Sequence, residues 1–407
     1  MNKFPRSAYV HIPFCHRRCF YCDFAVIPIG NKVETLGGYG SKTVKDYLHY
    51  LYKEILSIKH KSSLSTIYVG GGTPSILDPK QIKDLIDLFK ENYGVDFGAE
   101  ITMEVDPASF NQDDLYGFIN AGINRFSLGV QSFNDQILEK SGRRHLSEDA
   151  EKSCLWLKKV YESGLIKSWS LDLIQNLPLS GFKEWNNDLK KTINFSPPHI
   201  SIYDLNIENG TVFKKLIEIG KLKLPSEDEA FKNSESTNLI LKNSGYSRYE
   251  ISNYCIPRHQ SRHNRVYWSG SGWWSFGQGS TSSPWGKKLT RPRVSEEYKK
   301  WVIGQCHRNL DSSLVNKDFV YKEIDEKIML GLRLKEGVDI YEVLKEQNWG
   351  NKKFQINFCK LLKEWEKFLE SGLLVRKGNR FFLSDPKGME LSNQILIAMF
   401  KWWDDIN

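Results

Sequence analysis

The sequence predicts a parallel α/β fold, a partial (β/α)6 barrel followed by a small helical, winged-helix-like domain. Three observations carry that expectation. Strand-like apolar runs alternate with helix-patterned stretches through the first 250 residues. Several of those runs end on a carboxylate or amide, as strands do when their carboxyl ends line a site. A chain of 407 residues is also too long for one ordinary core.

The first strand is expected at about 7–12, ending just before a cysteine-rich loop. Residues 28–42 are glycine-rich and read as a surface loop, and a helix at about 43–59 would bury Leu48, Leu51, Ile55 and Ile58. Strand two, Thr66–Val69, runs into Gly70-Gly71-Gly72-Thr73-Pro74, where glycine permits positive φ and close backbone approach. Asp78 then caps a helix with Pro79 at its first position and Gln81 three residues on. Strand three ends near Glu104, strand four near Gln131 and strand five near Asp172. A helix at about 147–163, capped by Ser147, separates the last two. Strand six is expected at about 199–204 and a helix at about 227–243.

The domains are expected at 1–250 for the barrel, 251–314 for an aromatic and glycine-rich connecting segment, and 315–407 for the C-terminal unit. In the last, helices at 317–333 and 352–371 precede a hairpin turning at Lys377-Gly378-Asn379 and a final helix. Lys377 and Arg380 at that turn read as solvated cations, so no nucleic-acid partner is expected. The net charge of +8 favours anionic ligands but is too diffuse to argue for nucleic acid. No run of 18 apolar residues suggests a membrane span, and no secretory leader is evident.

Seven cysteines, an odd number, argue against a disulfide framework. Cys154 and Cys359 read as small buried helix residues, whereas Cys255 and Cys306 receive no role. Only Cys15, Cys19 and Cys22 form a constellation, at C-x3-C-x2-C spacing. A structural zinc site would need a fourth ligand, from His11, His16 or further away. A [4Fe–4S] cluster would take one thiolate on each of three irons and leave the fourth open. The spacing favours the cluster over zinc or three unligated cysteines.

That spacing, with Tyr21 immediately before the third cysteine, resembles the signature of radical S-adenosylmethionine (SAM) proteins. The preceding Tyr9-Val10-His11-Ile12-Pro13-Phe14 narrows the resemblance to oxygen-independent coproporphyrinogen oxidases and their HemW-type relatives. The resemblance implies that the open iron takes the amino and carboxylate groups of SAM. It places Tyr9 and Tyr21 near cluster or SAM, and Gly71, Gly72 and Thr73 at the methionine end. It places Glu104 and Gln131 at SAM-binding strand ends, Arg143 (with Arg144 adjacent) near the SAM carboxylate, and Asp172 near ribose and adenine. The chain departs from the family's Tyr-Gly-Leu-Pro with Gln175-Asn176-Leu177-Pro178, which implies a differently shaped adenosine side.

A second stretch, Arg262-His263-Asn264-Arg265-Val266-Tyr267-Trp268, resembles the His-Asn-x-x-Tyr-Trp motif associated with heme in the HemW-type branch. His263 is accordingly the candidate heme ligand. The alternative is that His263 and Asn264 hydrogen-bond a loop while the aromatics fill a barrel mouth. Two functions follow from the resemblance. One is a heme chaperone carrying [4Fe–4S] and SAM. It would serve a heme-acceptor protein, which could be a membrane respiratory one, and draw on an electron donor such as flavodoxin or ferredoxin. It would be cytoplasmic and peripheral to the membrane at delivery. The other is a coproporphyrinogen III dehydrogenase. Phe24 favours the chaperone, because the oxidases carry a further cysteine at that position.

Overall fold

The computed structural model describes residues 4–30, 42–58, 62–286, 288–308 and 323–406. Six strands lie side by side in chain order and all parallel: β1 (Ser7–Ile12), β2 (Leu64–Gly71), β3 (Val95–Val105), β4 (Arg125–Gln131), β5 (Ser168–Gln175) and β6 (His199–Asp204). Between them run α1 (Lys42–Ser57), α2 (Pro79–Asn92), α3 (Gln112–Asn120), α4 (Asp135–Lys140), α5 (Ser147–Glu162) and α6 (Phe182–Phe195), with α7 (Val212–Glu218) and α8 (Glu227–Asn243) following β6. This is the partial barrel expected.

Residues 247–276 extend that sheet at both edges. Strands β7 (Ser247–Arg248) and β8 (Asn253–Cys255) add antiparallel beyond β6. After helix α9 (Arg262–Trp268), β9 (Trp274–Phe276) joins the other edge, parallel to β1. The nine-stranded order is therefore β9-β1-β2-β3-β4-β5-β6-β8-β7.

Each central strand alternates. Val10, Val69, Met103, Leu128 and Leu171 belong to the main apolar core, together with Leu51, Ile55, Leu85 and Leu157 of the helices. The residues between them are polar. Tyr9, Tyr68, Thr102, Arg125 and Ser168 are successive register partners, as are Glu104, Ser127, Ser170 and His199. Barrels of this kind usually fill their interior with branched apolar layers; this one lines it with hydroxyls, carboxylates and imidazoles.

The cap at α2 forms as expected, with Asp78 Oδ1 accepting from Lys80 N at 2.7 Å and Asp78 N donating to Gln81 Oε1 at 3.0 Å. At α5 the expected cap is displaced by one residue. Ser147 is the first helical residue, and Leu146 N donates to Asp149 Oδ2 at 2.9 Å.

Beyond α10 (Ser295–Arg308), a second core gathers α11 (Ile324–Leu332), β10 (Val338–Asp339), α12 (Ile340–Lys345), α13 (Asn351–Glu370), the hairpin β11 (Leu374–Lys377) and β12 (Arg380–Leu383), and α14 (Ser392–Asp404). Trp365, Phe381, Met399 and Trp402 are its buried centre. The start of the helix expected at 317, the boundary at 314–315 and most of the 28–42 loop lie outside the described residues, as does the side chain of Cys306. Cys359 corrects its expectation: it is exposed. The buried stripe of α13 runs through Phe354, Phe358, Leu361 and Trp365, and one residue past Phe358 the helix has turned about 100° away. Arg380 donates to the backbone oxygens of Glu336 and Gly337, so that turn cation is held by its own chain. No helix among the described residues is long and apolar enough to cross a membrane.

Candidate functional site

The cysteine loop leaves β1 at Pro13 and is stitched to the barrel top by backbone bonds. Gly72 N donates to Ile12 O at 2.8 Å, Thr73 N to Phe14 O at 2.7 Å, and Phe20 N to Ser141 O at 3.0 Å. The triple-glycine turn must be glycine here. Gly71 has φ +116°, and a Cβ on it would meet His11 Nδ1 at 2.6 Å. A Cβ on Gly72 would meet Phe14 O at 2.6 Å and Cys15 Sγ at 2.9 Å. Thr73 Oγ1 donates to Cys15 Sγ at 3.6 Å, and Arg143 Nη1 to Cys19 Sγ at 3.5 Å.

Cys15, Cys19 and Cys22 are half-buried around a cavity of about 400 Å³ at the carboxyl ends of the strands. Tyr21, Gly71, Gly72, Thr73, Glu104, Gln131, Arg143 and Asp172 line the same cavity. The fold thus brings together side chains and turns that the sequence scatters between residues 15 and 172. Two of them hold unpartnered buried atoms, Gln131 Oε1 and Arg143 Nε. Gln131 also sits at φ +68°, after a register shift that breaks the ladder at Gly129. Backbone strain of that kind at a non-glycine residue clusters at ligand clamps and active sites. Asp172 forms part of the wall but spends its oxygens on Ser127 Oγ and Ser170 Oγ, both at 2.6 Å.

Among the described residues, no three His, Cys, Asp or Glu side chains converge on a single ion-sized point. The rings of His11 and His16, the sequence candidates for a fourth zinc ligand, bond carbonyls: His11 Nε2 to Ala25 O at 2.9 Å and His16 Nδ1 to Gly30 O at 3.3 Å. Three separated thiols with sulfur-directed donors and unsatisfied polar atoms beside them fit a polynuclear cluster with a polar ligand next to it.

Burial pushes the Cys15 thiol up to about 12, against the Thr73 hydrogen bond and with help from Cys19 and Cys22. Burial also raises Glu104 to about 7, opposed by bonds from Gly71 N and Tyr68 OH, both at 2.9 Å. Burial would raise Asp106 too, but the Arg143 guanidinium and His145 outweigh it and hold the carboxyl below its ordinary value. Sequence reasoning passed over Asp106, which pairs with Arg143 across the cavity wall. Its only signal was a carboxylate two residues past Glu104, before Pro107.

Two expected members lie elsewhere. Tyr9 and His263 line a second cavity of about 490 Å³, which shares only Phe24, Gly71 and Glu104 with the first. Tyr9 is on the inner face of β1, three residues before its end; it stacks on Tyr68 and bonds His11 Nδ1 at 3.1 Å. His263 is buried with both ring nitrogens taken, Nδ1 by Thr66 Oγ1 at 2.8 Å and Nε2 by Tyr267 OH at 2.9 Å. Burial lowers it to about 3, so it is neutral. Its helix, α9, closes the barrel floor rather than its mouth: Glu100, the register partner of Thr66 in the first half of β2, accepts from Arg262 N and His263 N, both at 2.9 Å. The departure at Gln175 and Asn176 is turned away from the first cavity, binding Thr237 and Asp204 instead, while Ile174, Tyr203 and Leu205 form that wall.

A family model described as the radical SAM superfamily matches residues 9–169. The chain is 35% identical to a heme chaperone HemW of Synechocystis sp., over 97% of this chain and 96% of that one. It is 33% identical to a heme chaperone HemW of Lactococcus lactis, over 99% of both. The solved coproporphyrinogen III oxidase (HemN) of Escherichia coli, described as a radical SAM enzyme, shares the fold with a TM-score of 0.77. It is 22% identical, over 97% of this chain and 90% of that one.

Proposed function

The chain belongs to the heme chaperone HemW family of the radical SAM superfamily, and from that premise we propose that it binds heme and passes it to an acceptor protein. In this reading Cys15, Cys19 and Cys22 hold a [4Fe–4S] cluster whose fourth iron takes SAM. The observation that carries it is the shared cavity, lined by the three cysteines together with Gln131 and Arg143, which hold the unpartnered buried atoms Oε1 and Nε.

When bound, a cluster with SAM supplies one-electron chemistry at the sulfonium. The chain's own residues would bind and orient. Thr73 and Arg143 donate to thiolate sulfurs, the Gly71–Gly72 turn lets the methionine end approach the backbone, and Gln131 and Arg143 offer polar atoms to its charged groups. Asp172, already bonded to two hydroxyls, would shape the ribose side, and Tyr21, within the cysteine loop, lines the same cavity. The electron donor would be a flavodoxin or ferredoxin, and the acceptor a heme protein reached from the cytoplasm at the membrane. Nucleic acid has no part in this reading.

For His263, the two hydrogen bonds support a bracing role at the barrel floor; heme ligation would require the ligating nitrogen to give up its hydroxyl, Thr66 at Nδ1 or Tyr267 at Nε2. The second function, coproporphyrinogen III dehydrogenase, is disfavoured by Phe24, which stands 63% exposed between the two cavities where the oxidases carry a cysteine.

Anaerobic reconstitution followed by parallel assays separates the two. Heme should bind stoichiometrically, and coproporphyrinogen III should not turn over; conversion to protoporphyrinogen IX without heme binding overturns the proposal. An unchanged heme affinity in His263→Ala would remove ligation by that residue alone.

A further inference from the structure

We propose that Asp106 is a positioning residue, which fixes the Arg143 guanidinium so that it donates to the Cys19 sulfur and thereby raises the reduction potential of the cluster. The inference rests on the reading above that Cys15, Cys19 and Cys22 carry a [4Fe–4S] cluster.

The geometry starts at the end of β3. Asp106 is itself held: its backbone N donates to Ser75 Oγ at 3.2 Å, and its backbone oxygen accepts from Ser109 N at 3.0 Å. Its Oδ2 pairs with Arg143 Nη2, and the same nitrogen donates to Gly129 O at 2.8 Å. Oδ1 faces His145 Nδ1 at 3.8 Å, whose other nitrogen bonds Val130 O at 3.0 Å. With Nη2 committed to two acceptors, the planar guanidinium has one orientation. That orientation sends Nη1 to Cys19 Sγ at 3.5 Å and leaves Nε buried without a partner.

A hydrogen bond to a cluster thiolate stabilises the more negative, reduced state and so raises the potential. The partly buried Asp106–Arg143 pair, with side chains 22% and 11% exposed, nearly cancels in net charge. What remains near the cluster is therefore the directed donor rather than a bare cation. Arginine alone could rotate toward the open cavity; the carboxylate is what prevents it.

The test is an EPR-monitored anaerobic redox titration of the reconstituted full-length chain without SAM. Arg143→Met should shift the potential to more negative values. Asp106→Glu keeps the charge but displaces the carboxylate, and should shift it in the same direction. In the Arg143→Met background, Asp106→Glu should produce no further shift. An unchanged potential in Asp106→Glu, or an equal shift in both backgrounds, overturns the inference.

Should Asp106→Glu fail to load iron, Asp106→Asn serves in the same cycle. Removing the charge alone raises the potential, whereas freeing the guanidinium lowers it. The shift must therefore be less positive in the wild-type background than in Arg143→Met, where no donor remains to be lost; equal shifts again overturn the inference. A wild-type chain that assembles no iron would instead overturn the cluster reading, an outcome visible in the iron analysis before any titration.

Discussion

Glu104 illustrates how a single side chain can be held in a costly state. Its folded pKa of about 7 lies above the ordinary 4.5, chiefly through burial. Between those values the folded chain keeps a proton that the unfolded chain has released, so this contribution is full at low pH and is lost as pH rises to about 7. The span corresponds to about 3 kcal/mol. In the chain without cofactors, the stability difference between wild type and Glu104→Gln should change by about that amount across this window. Urea unfolding at a series of pH values measures it, and a flat difference would show the carboxylate to be freely hydrated. At His263 the expectation concerns hydrogen bonds. His263→Ala leaves the Thr66 and Tyr267 hydroxyls without their partner and should cost about 2–4 kcal/mol.

At the scale of elements, β9 is a short edge strand that needs an anchor. The anchor is a fully buried ion pair, Arg291 Nε to Glu54 Oε1 at 2.7 Å, reaching from the segment after β9 to α1. Glu54 Oε2 also accepts from Gly277 N at 2.8 Å and Tyr298 OH at 2.7 Å, so one carboxylate ties three parts of the chain. Removing one partner of such a pair strands the other charge. Arg291→Met should therefore destabilise the chain by about 3–5 kcal/mol, read from thermal or urea unfolding. A loss below about 1 kcal/mol, the level of an exposed pair, would show that water reaches Glu54. The helices and strands were legible because their signals are local: the Asp78–Gln81 box and the stripe of α1 fell where periodicity put them. The short outer strands β7, β8 and β9 were not. Two or three residues carry no period, and only their partners (β8 for β7, β6 for β8 and β1 for β9) make them strands.

For the whole molecule, the cavity is assembled from the cysteine loop and the ends of β2, β3, β4, β5 and β6. A ligand filling it bridges elements far apart in sequence and should stabilise the folded chain as one unit. SAM at a hundredfold excess over its dissociation constant should add about 2.7 kcal/mol to the reconstituted protein. It should add little to Cys15→Ser, in which the cluster ligand set is incomplete. Differential unfolding with and without SAM measures both, and equal stabilisation of the two chains would place SAM away from the cysteines.

The sequence by itself determined the parallel strand–helix order, the cysteine constellation and which strand ends carry polar groups, because each is written in spacing and alternation along one segment. It also marked the family through motifs confined to short runs. Tertiary structure decided what those residues face. Tyr9 and Glu104 both point inward, yet their different heights in the barrel give Tyr9 to the lower cavity and Glu104 to both. His263 has the chemistry of a ligand, but its place at the barrel floor gives both nitrogens hydroxyl partners. Asp106 carries no motif of its own, and only the approach of Arg143 from 37 residues away gives it a role. Side-chain type is local; partners are set by distances that the chain must fold to create.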